Sequence, residues 1–256
     1  MNDHILVAFR NDKALMREEI ISEREFPVTN IFYDKKHTYT VVELNNKSEF
    51  LRYIKALAEF IIDKYESKIL KRIINKNYPE IPNVSVCEII RLKDEDDKKE
   101  RKRVVEKILE GYFLENDSGN VEGIVNFRLR EYKKILNKMA ERLVDIYYLN
   151  REYDDFIELL RYFISVQSTR CELVYIVVND GAMYTVLDEE KNDITKKVLL
   201  ELVPPEEIEN VAFDDLLISM MISIAPKKII IKNKEKIKNQ QLFETLEKVF
   251  EKVEYK

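Results

Sequence analysis

The spacing of hydrophobic positions along this chain changes between strand-like and helix-like periods, and each change marks a different element. His4 to Arg10 predicts a short strand, Ala14 to Glu23 a helix, and Val28 to Tyr33 with Thr38 to Leu44 a hairpin around Asp34-Lys35-Lys36-His37. This is a small βαββ start. From Asn46 the period lengthens: Phe50, Ile54, Leu57, Ile61, Tyr65, Ile69 and Ile73 share one helical face, and Asn46 with Glu49 has the spacing of a capping box. That helix must stop before Pro79. Residues 84–92 fit either a short helix or a strand.

Two helices follow at roughly 121–149 and 151–167, separate or continuous. After Cys171 the period is strand-like again. Leu173 to Val178, the turn Asn179-Asp180-Gly181 and Ala182 to Leu187 predict a hairpin. Ile194 to Leu202 reads as a helix broken by Pro204-Pro205, Leu216 to Ile224 as a buried helix, Lys228 to Ile231 as a buried strand and Gln240 to Phe250 as an amphipathic helix. The strand is expected in the same sheet as the hairpin. The expected class is α+β: a small βαββ segment at 1–45, a helical region at 46–168, and a C-terminal α/β region with a hairpin at 169–256, as three parts or one continuous globule.

Composition narrows the partners more than the fold. A chain of 256 residues with 45% hydrophobic and 36% charged residues can bury a real core beneath a dense ionic surface. Heavy use of Lys, Glu and Ile suits a thermophile's ion-pair networks and equally an AT-rich genome. A formal net charge of -5 gives no global attraction to nucleic acid or anionic lipid, so such binding would need a local patch. The start MNDHILVAFRNDK lacks the pattern of a signal peptide, and the longest apolar run, Leu216 to Ala225, is too short to span a bilayer. A cytosolic protein is expected. Cys87 and Cys171 are far apart in sequence and read as free, largely buried thiols.

Familiar catalytic chemistry finds little support. Four glycines, at 111, 119, 123 and 181, supply no phosphate-cradling loop, and no HExxH, CxxC or GxSxG string occurs. His4 and His37 make no obvious pair. The acidic run Asp94 to Asp97 followed by Lys98 to Arg103 reads as a solvated helix start, as do Asp154-Asp155 and Asp214-Asp215. Asn116-Asp117-Ser118-Gly119 reads as a turn, with Gly119 suited to a left-handed conformation and Asn120 to an N-cap. No catalytic residue, cofactor or metal is assigned, and the leaning is toward a protein that is not an enzyme.

The helix from Val121 carries the sharper expectation. Followed at about 100° per residue, Val121, Ile124, Val125, Tyr132, Ile135, Leu136, Met139, Leu143 and Ile146 form one stripe with Arg128 at its centre. A guanidinium there needs a carboxylate or an anionic ligand, so Arg128 is expected to be mostly buried, with Glu158 a candidate partner alongside Glu110, Glu122 and Asp155. Opposite the stripe, Arg130, Lys133, Lys134, Lys138 and Arg142 form a basic face interrupted by Glu131 and Glu141. On the next helix Tyr153, Phe156, Ile157, Leu160, Phe163 and Ile164 form the main apolar face, Leu159, Tyr162 and Val166 populate the other side, and Glu158 and Arg161 are spaced to pair. Arg161 and Tyr162 extend the candidate interaction face.

The strings EGYFLENDSGNVEGIVNFRLREYKKIL and NREYDDFIELLRYFISVQ, between Glu110 and Gln167, and FDDLLISMMISIAPKKIII, from Phe213 to Ile231, resemble the YtxC-like family of sporulation proteins. The amino-terminal part matches more loosely. The resemblance implies a role in spore formation and carries no chemistry with it. The functional expectation is a cytosolic, sporulation-associated protein acting through contacts with a protein partner. A nucleic-acid binder using the Arg130 to Arg142 face and an enzyme with an unrecognised site are the alternatives.

Overall fold

Three antiparallel strands and one long helix that buries one side establish the first part of the molecule. The computed structural model describes residues 4–10, 28–94, 97–181, 183–204 and 213–256. The fold is α+β and mainly helical, with two four-stranded sheets among the described residues, and it divides into two compact units, Met1–Tyr148 and Leu149–Lys256. The helix expected at Ala14 to Glu23 lies outside the described residues.

In the first unit, β1 (His4–Arg10) pairs antiparallel with β3 (His37–Glu43), which pairs antiparallel with β2 (Val28–Tyr33). The β2–β3 turn is closed by the Asp34 carboxylate, which accepts the backbone N–H groups of Lys36 and His37 at 2.6 Å each. These two bonds, helped by the Tyr39 hydroxyl, lower its pKa to about 2. The other edge of β1 takes a short parallel strand, β4 (Ser118–Asn120), giving the order β2-β3-β1-β4. Helix α1 (Lys47–Asn77) begins at Asn46, whose side chain accepts the Glu49 backbone N–H at 3.0 Å, as its capping spacing predicts. Glu49 reaches back to the Asn45 backbone N–H at 3.0 Å. Residues 84–92 resolve as a helix, α2 (Asn83–Arg91), followed by α3 (Lys98–Glu115). One core joins Ile5, Val7 and Phe9 of β1 to Ile54, Ile61 and Leu70 of α1 and Leu109 of α3.

Helix α4 (Arg130–Val166) crosses the boundary between the units without a break. Its residues Tyr132 to Val144 contribute to the first core, and Ile157 and Leu160 to the second. In the second unit, β5 (Leu173–Val178) and β6 (Tyr184–Leu187) form the expected hairpin, with Gly181 at a φ of 81° in its turn. Strand β7 (Lys228–Lys232) pairs parallel with β5, and β8 (Val253–Tyr255) parallel with β7, so the hairpin and the 228–232 strand share a sheet of order β6-β5-β7-β8. Helices α5 (Thr195–Leu202), α6 (Phe213–Ile224) and α7 (Gln240–Val249) complete the unit. Its core includes Val174, Ile176, Leu217, Met221, Ile229 and Phe243. Both cysteines are free; Cys171 is half-buried, but Cys87 is exposed, contrary to expectation.

Candidate functional site

The chemistry of the first unit gathers around a carboxylate that the core encloses. Glu66 lies on the apolar side of α1, four residues after Ile62 and four before Leu70, and is 0% exposed. It accepts from Arg101 Nε at 2.9 Å and Nη2 at 3.3 Å, from Lys93 Nζ at 2.9 Å and from the Tyr132 hydroxyl at 2.7 Å. Burial pushes its carboxyl up, yet the bonds from Lys93, Tyr132 and Arg101 together outweigh it and hold the group below the ordinary glutamate range. Burial and the neighbouring Glu66 charge drive the Tyr132 hydroxyl strongly upward, so it stays a donor. Arg101, 1% exposed, has its Nη1 without a hydrogen-bond partner.

Arg101 also lines a cavity of about 230 Å³ with Asp97, Ile135, Lys138, Met139 and Arg142. The Asp97 carboxylate lies 3.2 Å from Arg142 Nη2. A second, smaller cavity of about 140 Å³ is lined by Arg10, Tyr65, Lys68 and Arg72 together with Glu122 and Asn126. There Glu122 Oε1 accepts from the Tyr65 hydroxyl at 2.8 Å and the Arg10 backbone N–H at 3.3 Å, and its buried Oε2 has no partner.

The burial expected of Arg128 is corrected. A single turn at Val121–Gly123, capped by Asn120, runs into a π-helix at Ile124–Arg128, whose following residue Leu129 donates its N–H to the Ile124 carbonyl at 3.2 Å. The extra residue in that turn shifts the phase by one position. Leu129 takes the inward place, 0% exposed, while Arg128 is exposed and stacks over the Tyr112 ring at 5.7 Å to the centroid. Arg128 has no carboxylate partner among the described residues. Glu158 belongs to the second unit and is exposed there. Among the described residues the buried arginine–carboxylate pair is Arg101 with Glu66.

The basic face from Arg130 to Arg142 divides among several surroundings. Arg130 joins Arg128, Tyr112 and Phe127 around a recess of about 370 Å³. Lys133 turns to the Asn126 carbonyl at 2.7 Å, and burial, then the nearby Arg72, lowers its pKa. Lys134 pairs with Glu131 at 3.0 Å, and Lys138 and Arg142 flank the Arg101 cavity. In the second unit Arg161 donates from Nε to the Lys248 carbonyl at 2.7 Å instead of engaging Glu158, and Tyr162 is 61% exposed. Asp214, at the start of α6, accepts from the Tyr184 hydroxyl and the Asn239 amide at 2.7 Å each. Among the described residues no three His, Cys, Asp or Glu side chains converge as a metal-ligating group. None of their helices is long and apolar enough to cross a membrane.

Comparison with known proteins agrees with the resemblance of the central strings. Over 133 residues the chain is 26% identical to the "Uncharacterized protein YtxC" of Bacillus subtilis (strain 168), a match covering 51% of this chain and 46% of that relative's length. The chain thus matches about half of its relative. No solved structure matches it. The YtxC-like family profile matches residues 52–254, most of both units, and the chain belongs to that family.

Proposed function

We propose that the protein serves in spore formation as a cytoplasmic interaction protein, and that it binds a protein partner through the open face of α4 in the second unit. One observation carries the reading. Leu149, Phe156 and Phe163 recur at intervals of seven, Leu159 and Val166 interleave with them at the same interval, and these side chains are between 45% and 66% exposed. With Tyr162 they offer a continuous apolar stripe of the sort that seats against another helix or a groove. The adjoining side of the same helix, Ile157 and Leu160, is already committed to the second core. The sporulation setting comes from the family resemblance. A Leu159→Glu/Phe163→Glu double variant should keep the helical circular-dichroism signal, fail to retain the partner captured from sporulating cells by the unaltered protein, and lower spore yield. Wild-type spore yield and partner capture with the folded double variant would overturn the proposal.

A nucleic-acid reading is favoured by a different observation. From Lys64 to Asn77 helix α1 carries Lys64, Lys68, Lys71, Arg72 and Lys76, and its one carboxylate there, Glu66, is buried. Arg10 joins Lys68 and Arg72 at the smaller cavity. On this reading the basic surface centres on α1 rather than on the Arg130 to Arg142 face, and oligonucleotide retention would fall steeply with salt.

A further inference from the structure

We propose that the cavity between the start of α3 and the first half of α4 binds an oxyanion of the phosphate class. Three features converge on that ligand chemistry. The Arg101 guanidinium is nearly inaccessible to solvent; Glu66 engages its Nε and Nη2 and leaves Nη1 without an acceptor. A buried, unmet guanidinium N–H is costly, and the group that best meets it is an anionic oxygen. Two cations, Arg101 and Lys93, share the single buried carboxylate Glu66. The cavity walls then add two cations four residues apart on α4, Lys138 and Arg142, beside the apolar Ile135 and Met139. Low-polarity walls strengthen a charge-assisted hydrogen bond.

Among the described residues the carboxylate lining the cavity is Asp97, which accepts from Arg142 at 3.2 Å. The pair is about half exposed on both sides, so it is weak enough to exchange Asp97 for an entering anion. Asp97 thus holds the place of the ligand at Arg142. Two guanidiniums and an ammonium line the cavity, and donors from three side chains suit an oxyanion with three or four oxygens better than a two-oxygen carboxylate. The cavity of about 230 Å³ has room for such a group with its remaining water.

The test uses the full chain, with the arginine side-chain resonances followed during titration with inorganic phosphate and, separately, phosphoserine. Sodium chloride at matched ionic strength serves as the comparison. Phosphate or phosphoserine should shift the Arg101 Nη resonance where chloride does not. Tighter binding of inorganic phosphate identifies a free ion as the ligand, and tighter binding of phosphoserine a phosphate carried by a larger molecule. Lys138→Gln/Arg142→Gln should weaken binding by about tenfold, the loss expected for charge-assisted hydrogen bonds. Asp97→Asn should tighten it, and the exposed Lys107→Gln should leave it unchanged. All these substitutions are at exposed positions, so circular dichroism should report an intact fold. An Arg101 resonance that chloride shifts equally, a double variant that binds as well as the parent, or an Asp97→Asn variant with no gain in affinity would each overturn the proposal.

Discussion

Glu66 is the residue on which the first unit's charges turn. Its folded-state pKa lies below the ordinary glutamate value of 4.5. The stability it contributes is therefore complete above that unfolded value and is lost as pH falls through the lower folded one. Urea midpoints measured from neutral pH downward should show Glu66→Gln less stable than the parent at pH 7, with the gap narrowing below about pH 4.5 as the parent loses its advantage. Arg101→Ala removes one member of the buried pair and should cost about 3 to 5 kcal/mol, because Glu66 is left with less compensation. Arg128→Ala, like Lys134→Ala, should stay within about half a kcal/mol, since both side chains are exposed. A denaturant series on these variants ranks them directly. A charged residue at an apolar phase needs a partner, a signal legible in the sequence, and in the fold Arg101 rather than Arg128 is the arginine that meets it. Glu66 carried the same signal, between Ile62 and Leu70 on the stripe of α1, and Arg101 precedes the buried Val105 by one turn. Tyr132 lies far from both in sequence and Lys93 lies between two helices, so periodicity along one element gives no sign that they join the cluster.

At the scale of elements, the turn between α3 and α4 shows why Arg128 escapes burial. A phase count at a fixed angle assumes an uninterrupted helix, and the π-turn at Ile124–Arg128, entered from Gly123, adds a residue that the count does not allow for. The same corner decides the role of Gly119. Its φ is not positive, so the left-handed conformation expected from the Asn-Asp-Ser-Gly string does not form; it instead lies in β4 beside Val7. What requires glycine is space. A Cβ there would lie 3.0 Å from Tyr112 Cε1, 3.1 Å from Ile124 Cδ1 and 3.1 Å from Phe113 Cζ. Gly119→Ala should therefore lower stability by about 1 to 3 kcal/mol in a thermal or denaturant melt, as overpacking does. The capping of α1 was readable because it is local: Asn46→Ala should cost about 1 kcal/mol, checked by the same melts. The β5–β6 hairpin was readable for the same reason, since its turn chemistry and flanking alternation occur within a few residues. The pairing of β4 with β1 was not, because a three-residue strand has too few positions to show a period.

On the scale of the whole molecule, two separate cores share one helix. Tyr132, Leu136, Ala140 and Val144 anchor α4 in the first, and Ile157 and Leu160 in the second. Between them, from Asp145 to Glu152, every side chain is exposed except the half-buried Tyr147. An unpacked helical stretch that short is marginal in water, because most helical stability in proteins comes from burying a face. The backbone of α4 is accordingly least protected inside the helix, away from its packed segments. Native-state hydrogen exchange should find fast-exchanging amides at 145–152, flanked by slow ones near 132–144 and 157–160. The longest helix of the chain would then behave as two separately clamped rods with a stretch between them that can melt while both cores stay closed.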